Sequence, residues 1–347
     1  MKNLIVLAAL FGFSCVTFCS AQEGKLQTAE ELSAPTQVIS YASAFVIGEL
    51  VPIWSRGYVI AYRERTYAGQ TGPNLRVFDR QGKLVSEMRL WIDGASLIHI
   101  YNIAASSDGR LGVVGSVVDV AGSDAWIFAD ISLSNQRPVK IVHVSPFQAR
   151  ALDFAHDGSV WILGAKPAPG ELSLRNAPDH FIVEHFSRDG VFEGEYIKRS
   201  TIPCKALPGA GGLARVVASD DRIGLFLQGC DYWVELKPNG DLIGTWHWSG
   251  KLANGTEQRV TYVALTSDDQ LYAYVVQARN GTQATRGLFR LDRSNSDWIP
   301  VNIGAVEQAG APFGPVKGVE GDNLVYYTTN ERVVWAKVEK SASETNR

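Results

Sequence analysis

Short runs in which Val, Ile, Leu, Tyr or Trp take alternate positions, or crowd together, are separated along most of this chain by clusters of Asp, Gly, Asn and Ser. Alternation with a period of two marks strands, and the polar clusters mark hairpin turns. One pairing of turn and strand returns six times. The copies are Ser55-Arg56-Gly57-Tyr58-Val59-Ile60, Ser107-Asp108-Gly109-Arg110-Leu111-Gly112, His156-Asp157-Gly158-Ser159-Val160-Trp161, Ser219-Asp220-Asp221-Arg222-Ile223, Ser267-Asp268-Asp269-Gln270-Leu271 and Glu320-Gly321-Asp322-Asn323-Leu324. The Asp-Gly and Asp-Asp pairs tolerate positive φ or bond their own backbone, as a tight hairpin requires.

A second marker agrees with the first. Each copy is followed by another strand pattern, at 75–79, 126–130, 181–185, 233–236, 288–291 and 333–336, most of them ending in a turn of their own such as Asp189-Gly190 or Asn239-Gly240. A recurrence of about 50 residues is the length of a propeller blade rather than of a solenoid coil. The pattern predicts an all-β fold: a six-bladed β-propeller of four-stranded antiparallel blades over residues 36–340. The last repeat is one strand short, and Thr36-Gln37-Val38-Ile39-Ser40-Tyr41 reads as a strand ahead of the first repeat. Leaving a sheet edge unpaired is unfavourable, so this N-terminal strand is expected to pair beside 333–338 and close the last blade. In these turns and strands the chain resembles the six-bladed propellers of the NHL, TolB-like and gluconolactonase type. The resemblance covers nearly all of the chain beyond residue 21; it implies the fold, while function depends on the site.

Ahead of the repeats, Met1-Lys2-Asn3 and the apolar run from Leu4 to Phe18, followed by Cys19-Ser20-Ala21, have the form of a secretory signal cut after Ala21. Export to the periplasm or the extracellular space is expected, with no membrane span after cleavage. Residues 22–35 read as a polar segment in which Thr28-Ala29-Glu30-Glu31 fits one helical turn, the only helix candidate, and 341–347 as a disordered tail. Two of the four cysteines fall in the leader. Cys204 and Cys230 remain, and an even pair in an oxidising compartment is expected to form a disulfide.

The net charge of −3 gives no basic groove for nucleic acid. Gly209-Ala210-Gly211-Gly212-Leu213-Ala214 has dinucleotide-like spacing but precedes a strand, not a helix, so it reads as a loop. The six histidines show no ligand spacing, and no nucleophile elbow or phosphate loop occurs. Asn254-Gly255-Thr256 and Asn280-Gly281-Thr282 have the glycosylation pattern, and Asn-Gly is equally a turn. Gluconolactonase-like propellers hold a divalent metal with Glu, Asn and Asp in the axial channel. Here Asn102 and Asp153 lie on first strands without the matching Glu and second Asn, so no metal and no cofactor are expected.

In propellers of this type the loops between blades, and those between second and third strands, share one face, usually the binding face. The long loops of this chain fall there, at 68–74, 166–179, 198–211, 249–257 and 302–313. Trp126, Trp161, Trp233 and Trp335 fall within strands and read as packing between blades; Trp91, between the first two blades, reads as exposed at the mouth. The channel-facing candidates are His99, Tyr101, Asn102, Arg150, Asp153, Arg215, Arg259 and Tyr262. Converging arginines can hold a carboxylate or phosphate bidentately, and can equally be spent on nearby acids. The expected function is therefore an exported monomeric propeller that binds a small ligand or protein at its long-loop face. The alternative is a hydrolase or lactonase-like enzyme with a site at the mouth of the axial channel.

Overall fold

The computed structural model describes residues 30–40, 50–134, 137–169, 179–202, 214–219, 221–227, 231–249, 258–279, 282–311, 313–328 and 332–340. Two short strands come first, β1 (Glu30–Leu32) and β2 (Gln37–Ser40). Successive antiparallel units follow. The first contains β3 (Leu50–Ser55), β4 (Tyr58–Arg63), a short β5 (Arg65–Tyr67) in its long loop, β6 (Leu75–Phe78) and β7 (Leu84–Met88). The second has β8 (Ala95–Ala105), β9 (Arg110–Asp119), β10 (Asp124–Ser132) and β11 (Arg137–His143); the third has β12 (Gln148–Phe154), β13 (Val160–Ala165), β14 (Phe181–Phe186) and β15 (Phe192–Lys198). The fourth has β16 (Ala214–Ala218), β17 (Ile223–Leu227), β18 (Tyr232–Leu236) and β19 (Leu242–His247); the fifth has β20 (Gln258–Leu265), β21 (Leu271–Arg279), β22 (Thr282–Asp292) and β23 (Asp297–Asn302). The sixth supplies three strands, β24 (Val316–Glu320), β25 (Asn323–Tyr327) and β26 (Arg332–Lys340).

Each of the repeated turns lies between the first and second strands of its unit, where Gly109 (φ 80°) and Asp269 (φ 65°) hold the left-handed backbone that a tight hairpin needs. The missing strand of the sixth unit comes from the N-terminus: Gln37 lies opposite Trp335 and Ser40 opposite Arg332, antiparallel. Tyr41 falls outside the described residues. β1 adds a second closure. It runs antiparallel to the far end of β26, with Glu30 opposite Lys340, and parallel to β23, with Glu30 opposite Val301. The fifth and sixth units thus form one continuous nine-stranded sheet.

Burial shows why the units need one another. Six clusters of buried apolar side chains occupy the seams: Ile60 and Val77 with Ile98 and Leu111, Phe128 with Phe147, and Trp161 with Val216. Round the ring they continue as Trp233 with Val263, Tyr274 with Phe313 and Tyr326, and finally Trp335 with Trp54. That last seam joins end to beginning, the two indoles meeting edge to face at 5.1 Å. The arrangement is propeller-like: counting sheets gives five because of β1, while counting seams gives six. Trp161, Trp233 and Trp335 are fully buried, as packing between blades requires.

Local propensity failed at both ends of the helix question. Glu30 and Glu31 are strand, not a helical turn, because β1 finds hydrogen-bonding edges on both sides and buries Leu32 completely. A one-turn helix, α1 (Gly304–Gln308), appears instead in the last long loop with Val306 as its buried anchor, and a 3-10 turn covers Arg199–Thr201. No helix among the described residues is long and apolar enough to cross a membrane.

Candidate functional site

The first strands of the units, β3, β8, β12, β16, β20 and β24, stand innermost, and polar contacts stitch each to the next round the axis. Ser55 Oγ accepts from the Ala105 N–H, Asn102 Oδ1 from Leu152 N–H at 3.3 Å, and Asp153 Oδ2 from Ala218 N–H at 2.9 Å. Arg222 then pairs with Asp269 at 2.7 Å, Ser267 N–H donates to the Gly321 carbonyl, and Trp54 Nε1 donates to the Val319 carbonyl. Asn102 and Asp153 are thereby placed as bridges between units. Asp153 is the more committed: its Oδ1 also accepts from Phe154 N–H, and Arg56 lies at 3.4 Å from both oxygens.

Inside this ring lies a cavity of about 300 Å³ to which all six innermost strands contribute. Its lining comes from the C-terminal ends of those strands and from the turns beyond them, Arg56, Ser219 and Ser267 among them. The cavity therefore faces the tight turns, opposite the long loops. Arg56, which sequence reasoning passed over as a turn residue, holds φ at 44° and sends its guanidinium across to the third and fourth units, donating to the carbonyls of Phe154 and Ala218. The only sequence signal for it is an arginine where a hairpin turn favours Asn, Asp or Gly.

On the long-loop side the structure gathers His99, Tyr101 and Arg150 with Trp126. Tyr101 and Arg150 are skipped by the strand register, which shifts between Ile100 and Asn102 in β8 and between Ala149 and Ala151 in β12. Such bulges re-aim a side chain, and these two aim at each other. The Arg150 guanidinium carbon stands 4.3 Å from the Tyr101 ring centre and 4.4 Å from that of Trp126, the two rings being stacked at 5.1 Å. His99 lies against Tyr101 at 4.0 Å. Burial holds the His99 imidazole below its ordinary range, and Arg65 and Arg150 lower it further, so this corner repels an added proton. Among the described residues Arg150 has one hydrogen bond, to Gln148 Oε1 at 3.2 Å; its Nε is buried with no partner. β5 pairs with β8 here, setting Arg65 opposite His99.

The remaining candidates are dispersed. Trp91 packs at the edge of the first seam under Arg89, 4.7 Å from its ring centre. Tyr262 is buried in the seam of the fifth and sixth units and touches the axial cavity. Arg215 and Arg259 lie on β16 and β20. Cys204 and Cys230 lie outside the described residues, as do the leader and the tail.

Two charged clusters that the sequence did not suggest clamp seams on the tight-turn face. Arg110 pairs with Asp108 and Asp130 and reaches the Gly158 carbonyl of the next unit. At the equivalent place two units on, Arg222 and Arg293 both bond Glu235, whose side chain is only 1% exposed, and Trp233 Nε1 donates to it at 2.7 Å. In the third unit Lys166 lies between Glu184 and Glu195, closest to the second. Burial pushes the Glu184 carboxyl up to about 7 even though Lys166 opposes the shift. No three of His, Cys, Asp and Glu among the described residues converge as metal ligands.

No family model matches the chain, and no curated protein matches it in sequence. Solved propellers match it in shape. The Myceliophteria thermophila Cps50 (Swd1) β-propeller domain is 11% identical, with 88% of this chain and 99% of that one covered and a TM-score of 0.41. A streptogramin B lyase structure is 9% identical over 87% and 98% of the two chains, with a TM-score of 0.42, and the U3-55K structure is 8% identical over 88% and 98%, with a TM-score of 0.47. At these levels the likeness stops at the fold.

Proposed function

We propose that this protein is an exported propeller that binds a small ligand or a protein partner at its long-loop face, with Arg150 taking an anionic group. Arg150 carries the reading. It is half-buried, stacked on two rings and beside a histidine kept neutral, and it makes no ion pair among the described residues. The Asp124 carboxylate acts on it through space without pairing directly, so the half-buried guanidinium keeps unused donors, and a carboxylate or phosphate arriving from solvent supplies a direct partner that fits its planar fork. Export rests on the apolar leader ending at Ala21, and the chain acts as a monomer in this reading.

The test is a thermal-shift screen of sugar acids, nucleotides and acidic peptides, each with its uncharged analogue. A true ligand at about 100 Kd stabilises by roughly 2.7 kcal/mol, and Arg150→Ala should abolish that gain while the ring stays folded. A hit that is indifferent to Arg150 overturns the assignment.

A further inference from the structure

We propose that the axial cavity is a second binding site, entered from the tight-turn face, for a small uncharged molecule rich in oxygen atoms, of the size of a monosaccharide or cyclitol. The volume sets the size: about 300 Å³ is at the lower end of the range for ligand sites. The charge balance narrows the class. Arg56 is matched by Asp153, and Arg222 by Asp221 and Asp269, so three carboxylates face two guanidiniums and no cation is left over to hold an anionic ligand.

Uncommitted donors line the cavity beside the Oδ2 acceptor of Asp269, a mixture that hydroxyl groups satisfy in both senses. Arg56 uses only one of its terminal nitrogens on Asp153 and the two carbonyls, leaving the other and Nε without a hydrogen bond among the described residues. Asn102, also in the lining, spends its oxygen on Leu152 N–H, and its amide nitrogen has no hydrogen bond among the described residues. Ser267 contributes an unspent hydroxyl to the lining. Donors of this kind call for hydroxyl and ether oxygens, while Ile53, Val217 and Val263 offer apolar contact for the carbon faces of a ring. The backbone of Arg56 points the same way. An arginine at φ 44° is in a region that side chains disfavour, and such strain persists where surrounding contacts hold it, often at ligand sites.

The experiment is calorimetric titration of the full chain with glucose, with myo-inositol and, as the charged control, with gluconate. At least one uncharged probe should bind saturably. Val217→Phe, which fills the cavity from a partly exposed lining position, should remove the binding; Asn102→Asp, which keeps the acceptor for Leu152 N–H but replaces the donor, should weaken it about tenfold or more. Arg150→Ala should leave it unchanged, so failure here and failure of the long-loop site are read separately. Near-ultraviolet circular dichroism checks that both cavity variants fold. The proposal is overturned if neither uncharged probe binds, if binding survives Val217→Phe, or if gluconate alone binds.

Discussion

The two faces of this ring treat arginine in opposite ways. On the tight-turn face Arg56, Arg110, Arg222 and Arg293 all end on carboxylates, and their contacts cross from one unit to another. On the long-loop side Arg150 ends on two aromatic rings and a glutamine amide. Paired charges at a seam fix how units meet; a guanidinium left with rings keeps its charge available. The contrast separates scaffold from candidate site using side chains of one type.

Breaking a clamp gives the largest effect. Glu235 is almost fully buried and serves Arg222, Arg293 and Trp233 at once, so Glu235→Ala leaves the Trp233 N–H without its acceptor and both guanidiniums on the half-exposed Asp269 across the seam of the fourth and fifth units. The expected loss is about 3 kcal/mol in urea unfolding, the low end for removing one partner from a buried pair, because Asp269 still faces both guanidiniums. A loss under about 1 kcal/mol would mean that the clamp is solvated and that the contrast between the faces is superficial.

What the sequence made legible follows from range. Turn and strand depend on neighbours in the chain, so the repeats placed the hairpins, and the missing sixth-unit strand pointed to Gln37–Ser40. The charged clamps were hidden because Arg222 and Arg293 meet only across a seam. β1 was hidden because Glu30-Glu31-Leu32 is too short and polar to signal a strand before two sheet edges receive it. Grouping first-strand residues as one channel lining also hid the bulges. Asn102 and Asp153 reach the axial ring, whereas Tyr101 and Arg150, one and three residues away, turn into the seam. Where a strand skips a residue, period-two reasoning loses the face.

A pH-dependent effect comes from Glu184, a carboxylate that fits neither pattern because burial outweighs its lysine. Its folded value of about 7 stands above the ordinary 4.5, so the folded state holds the proton more tightly than the unfolded chain does. Its contribution to stability is fully present below pH 4.5 and is lost as pH rises toward 7, amounting to about 3 kcal/mol across that window. Urea midpoints at intervals of pH should show the decline in the native chain and a flatter profile in Glu184→Gln. Parallel profiles would show that Lys166 keeps Glu184 ionised.

Substitutions at Arg150 should barely move stability. Arg150→Ala deletes two ring contacts and one hydrogen bond, worth about 1 kcal/mol each at a half-buried position, and also removes a buried Nε that lacks a partner and the ordering of a long side chain. These terms oppose one another, so the unliganded protein should change by no more than about 1 kcal/mol, against several for Glu235→Ala. Arg150→Lys separates the parts further: an ammonium keeps the charge but neither lies flat on Tyr101 and Trp126 nor presents two parallel donors, so it should leave stability near the native value and still lose most anion binding. If Arg150→Ala instead costs as much as a broken clamp, the arginine is structural, and the long-loop site must be sought elsewhere on that face.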